Sequence, residues 1–386
     1  MIPYGRQSIN KKDIQAVQEV LCSDFLTQGP AVPAFEKAVA RYCHAGHAVA
    51  SNSGTSSLHL ACLSLGVGAG DTVWTSPITF VASANCALYC GARVEFVDID
   101  EKTGNLSIKA LTTKLIAAQK NNALPKVVIP VHFAGQPCDM EAIHSLGQEY
   151  GFQIIEDACH ALGARYQDQP VGNCRHSDIT VFSFHPVKII TTGEGGLATT
   201  NSARLADRMR LLRSHGITRN PDQMQAHPDG PWYYEQIDLG FNYRMTDIQA
   251  ALGMSQLARL DHFVQRRNSL ARRYDRLLAD SALPVLPLLQ LPDRLSSYHL
   301  YVIRLQTDAI RQRHEEIFAF LREKGIGVNL HYIPVYRQPY HNQDEQKNCP
   351  EAEKYYAGAI TLPLYPDLKE EEQEQVVETL AEALTR

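Results

Sequence analysis

The sequence has no run of apolar residues approaching the roughly 20 that a transmembrane helix needs. Residues 1–6 lack the basic start and the apolar stretch of a signal peptide. No segment is rich in lysine and arginine, and the formal net charge is −5, so the composition offers no basic surface that would attract nucleic acid. We therefore expect a cytoplasmic protein that has neither a membrane nor a nucleic acid as a partner.

Cysteine and histidine are present, but not in the patterns of metal sites or disulfide frameworks. The nine cysteines are scattered and contain no Cys-x-x-Cys pair, and the 15 histidines contain no His-Glu-x-x-His spacing. These absences argue against a zinc ribbon, a disulfide-stapled fold and a zincin-like metal centre. We expect free thiols that are mostly buried, and no metal.

The first two thirds of the chain alternate between two kinds of periodicity. Short β-branched runs are separated by segments with apolar residues at helical spacing, which predicts an α/β fold with a mostly parallel sheet covered by helices on both faces. Ligands of such sheets bind at the carboxyl ends of the strands. Strands are predicted at 73–75, 94–97, 127–131, 153–156 and 179–182, and helices at 11–22, 33–43, 54–66, 79–90, 107–120 and 139–150.

The last third has a different pattern. A long helical stretch at about 246–279 leads into a segment rich in proline and leucine at 283–292. A strand near 299–305 and helices near 309–324 and 369–384 then predict a smaller α+β unit. Because 386 residues suffice for two domains, we divide the chain into an N-terminal arm with a large α/β domain, residues 1–250, and a connecting helix with a small C-terminal domain, residues 251–386.

Lys188 lies in a segment that can isolate an amine from water. Pro186 removes a backbone donor just before it, and the glycines at 193, 195 and 196 allow a tight turn just after it. In a crowded, partly desolvated pocket the pKa of a lysine falls, and the amine becomes a Schiff-base nucleophile. The alternative is a surface lysine whose stem covers apolar surface, which is the usual environment of a lysine.

Two other segments carry suitable chemistry. Residues 51–57, Ser-Asn-Ser-Gly-Thr-Ser-Ser, open a predicted helix, whose N-terminal amides can bind a phosphate; taken alone they are also an ordinary helix cap. Residues 154–160, Ile-Ile-Glu-Asp-Ala-Cys-His, put two carboxylates at the end of a buried strand. The period of two sends Glu156 and Asp157 to opposite faces, so only one of them can face a pocket.

These segments together resemble a known family. Residues 183–188, Ser-Phe-His-Pro-Val-Lys, and 192–196, Thr-Gly-Glu-Gly-Gly, are similar to the cofactor-lysine segment of the DegT/DnrJ/EryC1/StrS nucleotide-sugar aminotransferases, and the resemblance extends over nearly the whole chain. It implies a fold-type-I transferase like aspartate aminotransferase, with pyridoxal 5′-phosphate (PLP) as cofactor. It also implies L-glutamate as amino donor and a UDP-linked keto sugar as acceptor in a ping-pong cycle.

The resemblance assigns roles residue by residue. Lys188 would bind the cofactor covalently and act as general base and acid, and Asp157 would keep the pyridine nitrogen protonated. Phe80 would cover the pyridine face, and His160 would lie near the ring hydroxyl. The phosphate-binding hydroxyls would be those of Thr55, Ser56 and Ser183.

The resemblance also implies a homodimer with shared active sites. Asn242, in the segment 240–247 (Gly-Phe-Asn-Tyr-Arg-Met-Thr-Asp), would reach the phosphate in the neighbouring subunit. Without the resemblance, Asp247 is read as a helix cap and Phe80 as a core residue. The remaining candidates, all for substrate binding, are Tyr4, Arg244, His331 and Tyr332.

Three other functions stay open at this point. The chain could act on a different 4-keto or 3-keto nucleotide sugar. It could be a dehydratase of the same family, although those enzymes carry histidine where this chain has Lys188. It could also be a PLP-binding regulator without turnover, which glutamate would not convert.

Overall fold

The computed structural model describes residues 1–341 and 348–386. Its fifteen strands are β1 His47–Ser51, β2 Thr72–Thr75, β3 Arg93–Phe96, β4 Val127–Ile129, β5 Gln153–Asp157, β6 Arg165–Tyr166, β7 Gln169–Pro170, β8 Ile179–Ser183, β9 Gly196–Thr200, β10 Ile217–Thr218, β11 Glu235–Gln236, β12 Val285–Pro287, β13 Arg294–Leu295, β14 Tyr301–Leu305 and β15 Ala359–Leu362.

The helices of the same residues are α1 Lys11–Leu21, α2 Ala31–Cys43, α3 Gly54–Ser64, α4 Ala82–Tyr89, α5 Ile108–Lys120, α6 Met140–Tyr150, α7 Ala203–Arg213, α8 Asp247–Leu257, α9 Leu260–Asp280, α10 Asp308–Arg311, α11 His314–Glu323, α12 Pro350–Tyr356 and α13 Glu370–Thr385. No helix among them is long and apolar enough to cross a bilayer.

The main sheet has seven strands in the order β1-β9-β8-β5-β4-β2-β3. The five strands from β8 to β3 in that order run parallel, which confirms the predicted mostly parallel sheet. At the other edge, β9 is antiparallel to both β8 and β1. This reversal was not predicted, because periodicity does not reveal the relative direction of two strands.

Helices cover both faces of the main sheet, as predicted. Side chains alternate along each strand, so Val181 packs with residues of α3, α4 and α7, whereas its neighbour Phe182 packs with residues of α2, α8 and α9. Both side chains are fully buried. A strand buried on both faces has no alternation of buried and exposed residues, and Thr180 of this strand is as fully buried as its apolar neighbours.

The C-terminal part of the chain is built on an antiparallel sheet of β12, β14 and β15. Its core joins residues of α9, α11 and α13. Two helix predictions were wrong here. The stretch 246–279 is two helices, because the chain turns at Arg259, whose guanidinium binds Asp13 of α1. The stretch 309–324 is also two helices, α10 and α11.

The N-terminal arm is tied to this C-terminal part. The amide of Ile2 donates to the carbonyl of Gly325 (2.8 Å), and the carbonyl of Ile2 accepts from Gly327 (2.7 Å). The carbonyl of Tyr4 accepts from Leu364 (3.0 Å). The boundary expected between residues 250 and 251 falls inside α8, and the division into two domains stays a prediction.

No disulfide joins the cysteines of the described residues. The same residues contain no group of three or more histidine, cysteine or acidic side chains that could hold a metal ion. The buried cysteines are Cys43, Cys62, Cys86, Cys138, Cys174 and Cys349.

Candidate active site

A cavity of about 930 Å³ opens where β5 and β8 end. It brings together ten of the twelve residues named from the sequence, although their roles stay predictions: Tyr4, Thr55, Ser56, Phe80, Asp157, His160, Ser183, Lys188, His331 and Tyr332. The carboxyl ends of parallel strands are the expected place for a ligand in this class of fold.

Lys188 lies in the loop between β8 and β9 and is partly buried. Its amide donates to the carbonyl of His185 (2.9 Å), and the loop is closed by a bond from the amide of Phe184 to the carbonyl of Gly195 (2.9 Å). Burial lowers the pKa of the Lys188 ammonium below 10.5, while the charges of Cys159 and Asp157 act in the opposite direction. An amine with a lowered pKa is more nucleophilic near neutral pH.

Asp157 is the carboxylate of this pair that faces the cavity; alternation predicted that only one of the two would do so, and the family resemblance predicted which one. Its Oδ2 accepts from the hydroxyl of Ser83 (2.6 Å), and its Oδ1 accepts from the amide of Cys159 (3.1 Å). Two donors on two oxygens fix the plane of the carboxylate, and its other lone pairs stay available for a ligand.

Glu156 points to the opposite face of the sheet. It accepts from the ring Nε2 of His132 (2.7 Å), from Ser177 (2.5 Å) and from Thr180 (3.0 Å). Burial alone would raise the pKa of Glu156, but these three donors hold that pKa below its usual value. The second carboxylate is therefore fully occupied away from the cavity.

Three histidines surround the amine without adding charge. Burial lowers the pKa of His160, His299 and His331, and the charge of Lys188 lowers each further; for His331 the value is about 3. The Nε2 of His160 lies 3.1 Å from the hydroxyl of Tyr332. Within the described chain, the buried Nδ1 atoms of His160 and His299 have no hydrogen-bond partner.

The predicted phosphate loop lies between β1 and α3. The side chain of Ser53 caps α3 by accepting from the amide of Ser56 (3.1 Å), and the hydroxyl of Ser56 donates to the Asn52 side chain (2.6 Å). This loop packs directly against Gly196 of β9. Residue 196 must be glycine for that contact, because a Cβ there would lie 2.2 Å from the carbonyl oxygen of Ser53. The N-terminus of α3 thereby faces the cavity beside Ser183.

Aromatic side chains form the opposite wall. Phe80 is 58% exposed and lines the cavity, so its reading as a core residue is wrong. Its ring lies 6.3 Å from that of Tyr332, while the ring of Tyr4 lies 5.4 Å from that of His331.

Asn242 and Arg244 are outside the cavity of the single chain. Asn242 is exposed, and the neighbouring Tyr243 carbonyl accepts from the amide of Asn52 in the phosphate loop (2.8 Å). Asp247 caps α2 rather than its own helix, since its carboxylate accepts from the amides of Gly29 (2.6 Å) and Val32 (2.9 Å). The role of Asn242 in a partner's site stays a prediction.

Sequence reasoning missed several lining residues, including Thr79, Ser83, His299 and Asn329. Ser83 follows Phe80 by three residues, so helical spacing from Phe80 offered one signal for it. Nothing in the sequence around His299 marks it, whereas Asn329 lies two residues before His331, which was predicted to bind substrate.

Comparisons with known proteins agree with this geometry. The model of the DegT/DnrJ/EryC1/StrS aminotransferase family matches residues 7–381. The chain belongs to this family.

Two curated relatives match almost end to end. The spore coat polysaccharide biosynthesis protein SpsC of Bacillus subtilis is 39% identical over 383 residues, covering 98% of this chain and 96% of the relative. The UDP-4-amino-4,6-dideoxy-N-acetyl-β-L-altrosamine transaminase of Campylobacter jejuni is 37% identical over 389 residues, covering 100% of this chain and 98% of the relative.

Solved structures of aminotransferases are also similar to this chain over its whole length, and they confirm the expected α/β fold class. Helicobacter pylori PseC, an aminotransferase involved in pseudaminic acid biosynthesis, superimposes with a TM-score of 0.89 at 33% identity, covering 100% of this chain and 99% of that chain. Spr1654 of Streptococcus pneumoniae in its PMP form also gives 0.89, at 29% identity and the same coverage.

The residues around the cavity fit PLP. They offer an amine for the aldehyde, a carboxylate for the ring nitrogen and a helix N-terminus with hydroxyls for the phosphate. The unpartnered Nδ1 of His160 offers a further polar contact. The aldehyde, the ring nitrogen and the phosphate of the cofactor therefore each have a matching group in this chain.

The lowered pKa of Lys188 predicts its reactivity. Since only the neutral amine reacts, labelling of Lys188 by acetic anhydride should rise with pH around a midpoint below 10.5. Mass spectrometry of the Lys188 peptide, with free Nα-acetyl-lysine amide in the same tube as reference, measures this midpoint. A midpoint equal to or above that of the reference contradicts the prediction.

Proposed function

We propose that the chain is a PLP-dependent aminotransferase that transfers the amino group of L-glutamate to C4 of a UDP-linked 4-keto-6-deoxy-N-acetylhexosamine of the L-altrosamine type. The observation that carries this proposal is the meeting of Lys188, Asp157 and the α3 N-terminus in one cavity. A desolvated amine, a carboxylate and a phosphate site have no common structural reason to converge.

Each residue has a definite task in such a reaction. Bound PLP supplies an electron sink for the carbon next to the transferred amine. Lys188 would hold the cofactor covalently and, once released, move a proton from the substrate carbon with its Nζ. Asp157 would accept a hydrogen bond from the pyridine nitrogen, and the N-terminus of α3 would bind the phosphate.

The environment of Lys188 suits proton transfer. The pKa of Lys188 is lowered toward neutral pH. A general base and acid is most effective when its pKa lies near the pH at which the enzyme works. The three neighbouring histidines are held neutral by burial, so they add no positive charge beside Lys188. Phe80 and Tyr332 would flank the ring and exclude water.

The sugar is proposed from similarity. The Campylobacter jejuni relative and Helicobacter pylori PseC support a 4-keto precursor of pseudaminic acid. Two segments of this chain also resemble such transaminases: residues 4–9, Tyr-Gly-Arg-Gln-Ser-Ile, and 330–335, Leu-His-Tyr-Ile-Pro-Val. Tyr4, His331 and Tyr332 of these segments line the cavity and are proposed to contact the sugar. A cytoplasmic enzyme making a precursor for glycans such as those on flagellin would follow.

Three alternatives can be distinguished from this proposal. The Bacillus subtilis relative is a spore coat polysaccharide biosynthesis protein, which favours a second candidate, amination of another 4-keto or 3-keto nucleotide sugar. A PLP-binding regulator would bind the cofactor, but glutamate would not change its absorption. A dehydratase is disfavoured because Lys188 is retained.

The acceptor sugar can be identified directly. With PLP and glutamate, the enzyme should aminate the L-altrosamine-type UDP-4-keto-6-deoxy sugar faster than its D-gluco or D-xylo isomers, as measured by product formation in parallel reactions. Lys188→Ala, which lacks the proposed base, should produce none. Faster turnover of another isomer moves the chain to a sister specificity, and no turnover of any sugar contradicts the proposal.

We also propose a homodimer in which each site is completed by the partner. Asn242 is exposed in the single chain, and the segment just before it carries three further exposed side chains, those of Trp232, Tyr234 and Leu239. These features support a surface that a second copy covers. Arg244 would then serve the substrate of the neighbouring site.

Complementation tests the shared site. Lys188→Ala subunits keep Asn242, and Asn242→Asp subunits keep Lys188, so a mixed dimer would contain one intact site. After equal amounts are denatured together and refolded, random pairing should restore about a quarter of wild-type sites. If subunit exchange is demonstrated and no activity returns, Asn242 serves its own subunit.

A further inference from the structure

Ser83 contacts the cavity carboxylate through a buried chain of hydroxyls. The hydroxyl of Ser83 lies 2.6 Å from Oδ2 of Asp157 and 2.7 Å from the hydroxyl of Thr79. All three side chains are at least 95% buried: Ser83 is 1%, Thr79 3% and Asp157 5% exposed. Neither Ser83 nor Thr79 was among the site residues predicted from the sequence.

The direction of these bonds follows from the chemistry of the groups. An ionised carboxylate only accepts, so the single proton of Ser83 must be donated to Asp157. The oxygen of Ser83 is then left to accept from Thr79. Each hydroxyl polarises the next, which strengthens the bond to the carboxylate in a site with little water.

The other oxygen of Asp157 is fixed by the backbone. The amide of Cys159 donates to Oδ1 (3.1 Å), but this bond alone leaves rotation about the side chain possible. The bond from Ser83 to Oδ2 removes that freedom. Ser83 follows Phe80 by three residues, and its amide donates to the Phe80 carbonyl (3.2 Å). The contact to the acid and the exposed ring of Phe80 therefore lie close together in the chain.

We infer that Ser83 is a positioning residue, which orients the Asp157 carboxylate toward the pyridine nitrogen of the cofactor. This inference rests on the proposed function, since it requires Asp157 to meet that nitrogen. Ser83 would act through Asp157 alone, and Thr79 would act through Ser83.

The neighbouring carboxylate of β5, Glu156, offers a matched control. Ser177 donates to Glu156 (2.5 Å), as Ser83 donates to Asp157, but on the opposite face of the sheet. Ser177→Ala therefore removes the same kind of bond from the neighbouring carboxylate without touching the cavity. Both alanine variants should lose stability, which unfolding by urea measures.

The test is a double-mutant cycle read by cofactor affinity. Titration with PLP should give a dissociation constant about tenfold higher for Ser83→Ala than for wild type, which is the loss expected for one bond to a charged group. The visible circular dichroism of the bound cofactor should change as well, because ring orientation changes. Ser177→Ala should change neither.

In the Asp157→Ala background, Ser83→Ala should alter the PLP affinity less than about twofold, because Ser83 is proposed to act only through Asp157. If the two residues acted independently, the loss caused by Ser83→Ala would be the same in both backgrounds. In that background Ser83 can still bond to Thr79, so its hydroxyl is not left unpaired. If Ser83→Ala does not fold, Thr79→Val takes its place, with an expected loss of about threefold.

Wild-type affinity and dichroism in Ser83→Ala, an equal loss in Ser177→Ala, or an undiminished effect in the Asp157→Ala background would each overturn the inference. These outcomes leave the proposed function intact. If wild-type protein itself binds no PLP, the proposed function fails, and this inference fails with it.

Discussion

Desolvation of one amine is the constraint on which the site depends. Burial lowers the pKa of Lys188, and the charges of Asp157 and Cys159 counter that shift. The carboxylate of Glu156, if it also faced the amine, would favour the ammonium form further. The alternation of β5 prevents this, because it turns Glu156 to the other face, where His132, Ser177 and Thr180 satisfy it. The same burial keeps the surrounding histidines neutral.

The reversed strand β9 brings the separate segments together. Gly196 pairs with Ser183 of β8 on one side and with Ser51 of β1 on the other. This register sets the end of the lysine loop beside the beginning of the phosphate loop, although about 140 residues separate them in sequence. An entirely parallel edge would require a crossover connection instead of the short loop that carries Lys188. The antiparallel edge is thus what lets Lys188 and the proposed phosphate loop share one cavity.

Local patterns predicted much of this, and long-range geometry accounts for what was missed. The strands and helices of the main sheet, the facing of Asp157 and the grouping around Lys188 follow from periodicity or from family-like segments. Contacts between distant parts of the chain determine the direction of β9, the break between α8 and α9 at Arg259, and the position of His299 in the cavity. Asp247 shows the limit clearly: a capping residue was a fair reading, but the helix that it caps lies over 200 residues earlier in the chain.

The most direct measurement concerns Lys188 itself. Protein loaded with PLP and reduced with borohydride retains a pyridoxyl group on the lysine that held the cofactor, and peptide mapping by mass spectrometry identifies that residue. The label should be found on Lys188 and should be absent from this position in Lys188→Ala. A label on any other lysine of the wild-type chain, or none on a chain that has bound PLP, would contradict the assignment.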